Sequence, residues 1–269
     1  MKGLPASILP SGRVAALVTT MRTAMAEAWA NRRSFWVQVI AMALNDLVWV
    51  MFWVLFFHRV GEVRGWRTDE VLLLFSILAT VAGISMGLLA NARRIGPMVA
   101  DGELDAVLTL PVDPLAYLLV RRVDTALIGD LLFGPVLFVV AANPTPGRTA
   151  LFLLTSITGA IVFVSFVVAL GSLTLVIGGR GEQADLGFQA LLILSSYPLD
   201  VFGGITKLLM FTVIPAAFIT GVPVHLIDRF GWATLFALLG AAALSATVAR
   251  VSFRTGLRRY RSGALWTRA

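Results

Sequence analysis

Three aspartates sit where an ionised group is expensive. Asp46, beside Asn45, lies near the middle of Phe35–Phe57 and is the only charge in that stretch. Asp130 lies inside the apolar stretch 115–142, and Asp124 nearer its start. At mid-bilayer a charge costs at least about 2.5 kcal/mol, so each must face protein or water. Asn45, Asp46 and Asp130 therefore mark either a polar contact or gate along a pathway, or an internal hydrogen-bonded helix contact. Asp124 has a local alternative in Arg121, about one helical turn away.

Acids also gather at Asp101, Glu103 and Asp105. Asp101 suits a helix N-cap, and Glu103 and Asp105 fall in a first turn, where the helix dipole favours them. Leu104, Val107 and Leu108 follow at helical spacing as one apolar stripe, and the segment ends before Pro111. The pattern predicts a short amphipathic helix over 101–109. Its stripe is either an exposed interface or the packing face of a solvated loop helix.

No chemistry of the common catalytic kinds can be assembled. Cysteine is absent, so thiolate metal sites and disulfides are excluded. His58 and His225 stand alone, without metal-ligand spacing. No G-x-x-x-x-G-K-[ST] loop occurs, and the only lysines are Lys2 and Lys207. The chain is expected to hold no catalytic residue and no metal.

The elements that position these residues are long and apolar. Thr149–Gly179 is free of charge for 31 residues, and Val71–Ala92, Leu208–Val224 and Phe230–Ala249 are uncharged too. Crossing a bilayer as a helix takes about 20 apolar residues. Of the 269 residues 58% are hydrophobic and 14% charged, far below the roughly 25% charge of soluble domains. The chain reads as one all-α polytopic membrane domain with about six transmembrane helices. The spans are expected at 35–57, 70–92, 115–142, 149–177, 182–199 and 230–252, after an amphipathic interfacial helix at 12–33. Gly83 and Gly87 in the second span form a small-xxx-small pattern that allows close helix packing. The stretch 197–204 interrupts the apolar sequence, so 200–224 is expected to be a re-entrant helical hairpin between spans 5 and 6, or else part of one bent span.

Basic residues orient the chain. With the N-terminus inside, sixteen of the 22 Lys and Arg residues fall on the inner side, and six (Arg59, Arg64, Arg67, Arg148, Lys207 and Arg229) outside. Both termini are then cytoplasmic. The net charge of +7 thus serves topology, and nucleic acid is not an expected partner. Arg250, Arg254, Arg258 and Arg261 share one helical face beyond the last span and suit anionic lipid headgroups.

Residues 101–115, D-G-E-L-D-A-V-L-T-L-P-V-D-P-L, resemble the G-x-L-D-x-x-L-x-x-P-x-x-P-L stretch of ABC-2-type transporter permeases. Tyr197-Pro198 and Phe202, followed by Phe211–Phe218 and Pro223, are similar to the family's Y-P-x-x-x-F … I-P-x-A-F … P signature. Gly65–Val71 resembles its G-W-x-x-x-E-V approach to the second span, and Gly256–Tyr260 its closing motif. Gly203-Gly204 departs from the pattern, where a proline is expected nearby.

The resemblance implies the membrane subunit of an ATP-driven exporter of hydrophobic or amphipathic cargo (drug, lipid or glycan-like) in a bacterial plasma membrane. It implies two copies of a separate ATPase, carrying ATP and Mg, and a second permease subunit, identical or homologous. No cofactor is then held by this chain. Asp101, Gly102, Glu103, Leu104, Asp105, Val107, Leu108, Pro111 and Pro114 become the ATPase-coupling element. Asn45, Asp46 and Asp130 become contacts on the cargo pathway. Tyr197, Pro198, Phe202, Pro215 and Phe218 become an outer re-entrant gate. The competing readings are a secondary transporter driven by an ion gradient, which calls for matching broken helices in two halves, and a membrane-embedded enzyme acting on lipid.

Overall fold

A computed structural model describes residues 10–178 and 181–260. Lys2, Arg180, Arg261 and Arg268, which enter the charge count, lie outside the described residues. Among these, regular structure is helical, with one isolated bridge between Val63 and Trp66. The first helices are α1 (Pro10–Ala30), α2 (Arg32–Val60) and α3 (Thr68–Ala82). Next come α4 (Ile95–Ala100), α5 (Glu103–Leu108), α6 (Pro114–Val120), α7 (Ile128–Ala141) and α8 (Pro146–Ser172). The remainder are α9 (Thr174–Ile177), α10 (Glu182–Ser195), α11 (Gly204–Thr212), α12 (Gly221–Asp228) and α13 (Trp232–Arg259).

Local chemistry sets the helix ends. Asn31 breaks α1 from α2 and caps the latter, its side chain accepting from Ser34 N at 3.1 Å. Gly61, at φ 82°, ends α2 in a conformation that disfavours a side chain. Glu70 accepts from Arg67 N at 2.9 Å and starts α3. Thr145 caps α8, with Pro146 in its first turn, where a missing N–H costs nothing.

α3 and α8 form the interior; α2 and α13 flank it with most of their apolar surface outward. Val37, Leu44, Val48 and Leu55 on α2, and Phe236, Leu244 and Val251 on α13, are exposed. A helix apolar all round, with one side uncovered, is suited to lipid or to another membrane subunit. Among the described residues, four helices are long and apolar enough to cross a bilayer: Arg32–Val60, Thr68–Leu88, Pro146–Ile177 and Trp232–Arg259. The bent pair Gly204–Thr212 and Ala216–Asp228 would make a fifth if it were one span.

Contacts sort the connections into two ends. Arg148 Nη2 meets Asp228 Oδ1 at 2.9 Å at one end. At the other, Arg93 meets Asp185 at 3.2 Å and Arg250 meets Asp113 at 3.4 Å. Among the described residues the chain runs between these ends on α2, α3, α7, α8, α10 and α13.

Several boundaries differ from the sequence reading. The stretch 115–142 is not one helix: α6 ends at Val120, and 121–127 turns before α7 begins. Asp124 N donates to Gly87 O at 2.8 Å, and Asp124 Oδ1 accepts from Ala126 N at 3.0 Å. That local bond, rather than one to Arg121, occupies Asp124 at the turn. α7 and α10 have 14 residues each, about 21 Å of helix against about 30 Å of hydrocarbon. The second span widens to a π-helix at Gly83–Leu88 and tightens to a 3₁₀ turn at Ala90–Arg94. Gly83 and Gly87 lie against Leu131 and Leu127 at the start of α7, so their pattern is a packing face. α1 packs on α6, with Ala24 buried and Val14, Val18 and Trp29 exposed.

Candidate functional site

The acid pair comes from α2 and α7, which cross at Gly129. A Cβ there would stand 2.7 Å from Val39 O and 3.0 Å from the Met42 Cβ, so only glycine allows this approach. Asp46 and the next residue, Asp130, are thereby brought within hydrogen-bonding reach. Asp130 is 4% exposed, and its Oδ1 has no partner among the described residues; neither does Asp46 Oδ2. Asn45 lines the same cavity beside Asp46.

The pair lines a cavity of about 330 Å³. Trp49, Trp53, Phe75, Phe133 and Tyr197 provide aromatic walls, and Met42 and Met86 adaptable apolar ones. Met86 belongs to the π-helical turn, a form frequent at functional sites. Trp53 is buried, and its Nε1 also lacks a partner. Among the described residues no basic side chain lines this cavity. The aromatic walls were not picked out from sequence, although Met42, Asp46, Trp49 and Trp53 recur at i, i+4, i+7 and i+11 on one face of α2.

A second, apolar groove of about 680 Å³ continues beyond the first. Trp49, Trp53 and Tyr197 line both, and Pro198 lines the outer one. Tyr197 meets Trp53 edge to face at 6.0 Å and Phe202 at 6.4 Å. Pro215 and Phe218 stand apart from this group. They line a separate recess against α8 and α13, with Phe218 edge to face on Phe211 at 5.4 Å. The five expected gate residues thus form two groups.

One carboxylate organises the segment around them. Asp200 Oδ1 accepts from Lys207 Nζ at 2.7 Å, and its Oδ2 accepts from Trp66 Nε1 at 3.0 Å. His225 Nε2 lies 3.1 Å from the same Oδ2, and Arg64 donates to the carbonyls of Asp200 and Val201. Lys207 is in α11 and His225 in α12, so the chain leaves this end along α11 and returns to it along α12. The segment bends by 70° between Gly204–Thr212 and Ala216–Asp228. Partial burial would raise the Asp200 pKa, but hydrogen bonds from Lys207 and Trp66 and the nearby positive charge outweigh it and hold the carboxyl below its ordinary value. Asp200 and Trp66 are 134 residues apart, and nothing in the local sequence announces the pair.

At the opposite end, α5 differs from the expected helix in two ways. Asp101 terminates α4; the residue before α5 is Gly102, at φ 74°, a left-handed conformation that favours glycine. The apolar stripe is also divided. Leu104 and Val107 are buried in the protein's own core, at 1% and 2% exposure, while Leu108 and Leu110 are exposed at 41% and 38%. Asp101, Glu103 and Pro111 are exposed beside them. Glu103 also lines a polar recess with Arg94, Arg121 and Arg122. Asp113 caps α6, accepting from Ala116 N at 3.0 Å, with Pro114 at the first helical position.

Comparison with known proteins agrees with this architecture. A family profile described as ABC-2 family transporter protein matches residues 43–264. No curated protein and no solved structure matches the chain. The matched range takes in the acid pair, the α5 end and the interrupted segment 197–218 together. The chain is therefore a multi-pass membrane protein that belongs to the ABC-2 transporter family.

Proposed function

We propose that this chain is the permease subunit of an ATP-driven exporter, which forms the pathway for a hydrophobic or amphipathic cargo with a second, identical or homologous permease subunit. A separate ATPase, in two copies, supplies ATP hydrolysis; the chain itself holds no nucleotide, Mg or other cofactor. It sits in a bacterial inner membrane as six crossings, α2, α3, α7, α8, α10 and α13, with both termini cytoplasmic. α11 and α12 form an outer re-entrant hairpin. In favour of the hairpin, Lys207 and His225 meet one carboxylate, which a straight crossing of 18 residues, about 27 Å long, would not permit.

The observation that carries the exporter reading is the form of the α5 end. Leu104 and Val107 root the helix in the membrane domain, and Leu108 and Leu110 leave an apolar edge uncovered beside acids. A rooted helix with an apolar edge and acidic flanks suits docking in a basic-rimmed groove, where the charges fix register. The coupling contact is thereby narrowed to Leu108, Leu110 and Pro111 with Asp101 and Glu103.

Co-expression with candidate ATPase subunits tests this. An ATPase is expected to purify with the chain at a ratio of about 1:1. Its turnover in vesicles is expected to require the chain. Transport that continues without ATP and collapses with the proton gradient would replace this reading with the secondary transporter.

A further inference from the structure

The pair Asp46–Asp130 stands in an unusual electrical setting. A hydrogen bond between two carboxyl groups needs at least one proton, so the pair can carry at most a single negative charge. Among the described residues that charge has no counter-cation: no Lys, Arg or His lines the cavity, and Asp130 Oδ1 and Asp46 Oδ2 are unpartnered. An isolated buried charge is costly within a membrane, and such groups ordinarily pair with one another, with backbone or with something passing through. Asp130, 4% exposed, is aimed into the cavity it lines.

The walls say what kind of counter-cation fits. The cavity, about 330 Å³, has room for an organic molecule rather than a bare ion. Trp49, Trp53, Phe75 and Tyr197 line it with aromatic rings, and a cation over an aromatic face is attracted more strongly where water is excluded. Inorganic ions need several oxygen ligands, and no group of three His, Cys, Asp or Glu capable of holding a metal occurs among the described residues. The apolar groove beyond Trp53 and Tyr197 extends the same surface and accommodates a hydrophobic remainder.

We infer that the cavity between α2, α3 and α7 binds lipophilic organic monocations, with the positive charge at Asp46–Asp130 and aromatic or alkyl groups against Trp49, Trp53 and Tyr197. The inference rests on the exporter reading in taking this ligand class as cargo. The binding itself needs no ATPase.

The test uses the full chain in lipid nanodiscs, without ATPase or nucleotide. Tetraphenylphosphonium is the probe, and triphenylphosphine oxide its neutral counterpart of similar aryl surface. Equilibrium dialysis gives affinity, and quenching of tryptophan fluorescence reports proximity to Trp49 and Trp53. The wild type is expected to prefer the cation by about tenfold or more, and Asp46→Asn and Asp130→Asn each to lose about tenfold. Asp130→Glu is expected to keep the preference. If Asp130→Asn does not fold, the half-buried Asp46→Asn and the comparison of the two ligands on the wild type still decide. Equal binding of the neutral compound, unchanged affinity in a folded Asn variant, or no binding of the cation by the wild type overturns the inference. A chain that associates with its ATPase but ignores the cation loses only this inference. One that binds the cation but never associates with an ATPase loses the exporter reading instead.

Discussion

Trp53 and Tyr197 meet edge to face, 6.0 Å between ring centroids, at the passage between the acid cavity and the apolar groove. Trp53 is fixed on α2, and Tyr197 follows directly on α10, where the chain turns into the interrupted segment. The contact links α2 to that segment. An aromatic pair is worth about 0.5–1.5 kcal/mol beyond its area, so its loss shifts a closed–open equilibrium by up to about tenfold. Tyr197→Ala is expected to lower the cargo gradient that vesicles sustain while ATP turnover continues, and Tyr197→Phe to behave as the wild type. An unchanged gradient in Tyr197→Ala would contradict a gate here.

Leu104 and Leu108 are four residues apart and have different neighbours, which separates folding from coupling. Leu104→Arg places a charge in the core at a cost of at least about 3 kcal/mol, and aggregation or loss of the size-exclusion peak is expected. Leu108→Arg changes an exposed side chain and is expected to fold normally, purify without the ATPase and fail to stimulate hydrolysis. Normal stimulation by Leu108→Arg would remove α5 from the coupling contact.

Gly129→Val tests whether the α2–α7 crossing positions the acid pair. The added carbons meet Val39 O and Met42, and a clash of this kind costs about 1–3 kcal/mol. A lower melting temperature in nanodiscs is expected. An unaltered melting temperature would mean that the helices are free to separate at this point.

Asp200 ties the outer end together as an anion. Its folded pKa is depressed, so its contribution to stability is present above the unfolded value of about 4 and is lost as pH falls through the folded value. Thermal stability of the wild type is therefore expected to be insensitive to this group near neutrality and to fall below about pH 4. Asp200→Asn is expected to be less stable at neutral pH and to lose that part of the acid dependence. Identical profiles for the two proteins would show that Asp200 does not hold the segment.

Much of this was legible in the order of residues, because membrane helices are written in composition. The charge-free run Thr149–Gly179 contains most of α8 and all of α9. Pro and Gly stand at several breaks between elements, as at Pro146 and Gly61. The interruption of 115–142 carries no such mark, because 121–127 contains neither residue, and its turn is held by a backbone bond from Asp124 to Gly87. The α5 stripe is apolar and lies on a helix, Glu103–Leu108. Periodicity alone could not divide Leu104 and Val107, facing the core, from Leu108, facing out. Asp46 and Asp130 were each marked by their apolar settings, but their meeting depends on the close approach at Gly129, which no local pattern encodes.

The exporter assignment is tested most directly by ATP hydrolysis in vesicles containing the chain and its candidate ATPase, with wild type, Leu108→Arg and an ATPase-only control measured side by side. Hydrolysis that rises with the wild-type chain, stays at the control level with Leu108→Arg and accompanies cargo movement is the expected result. Hydrolysis equal in all three samples, with cargo movement that follows an ion gradient instead, would contradict it.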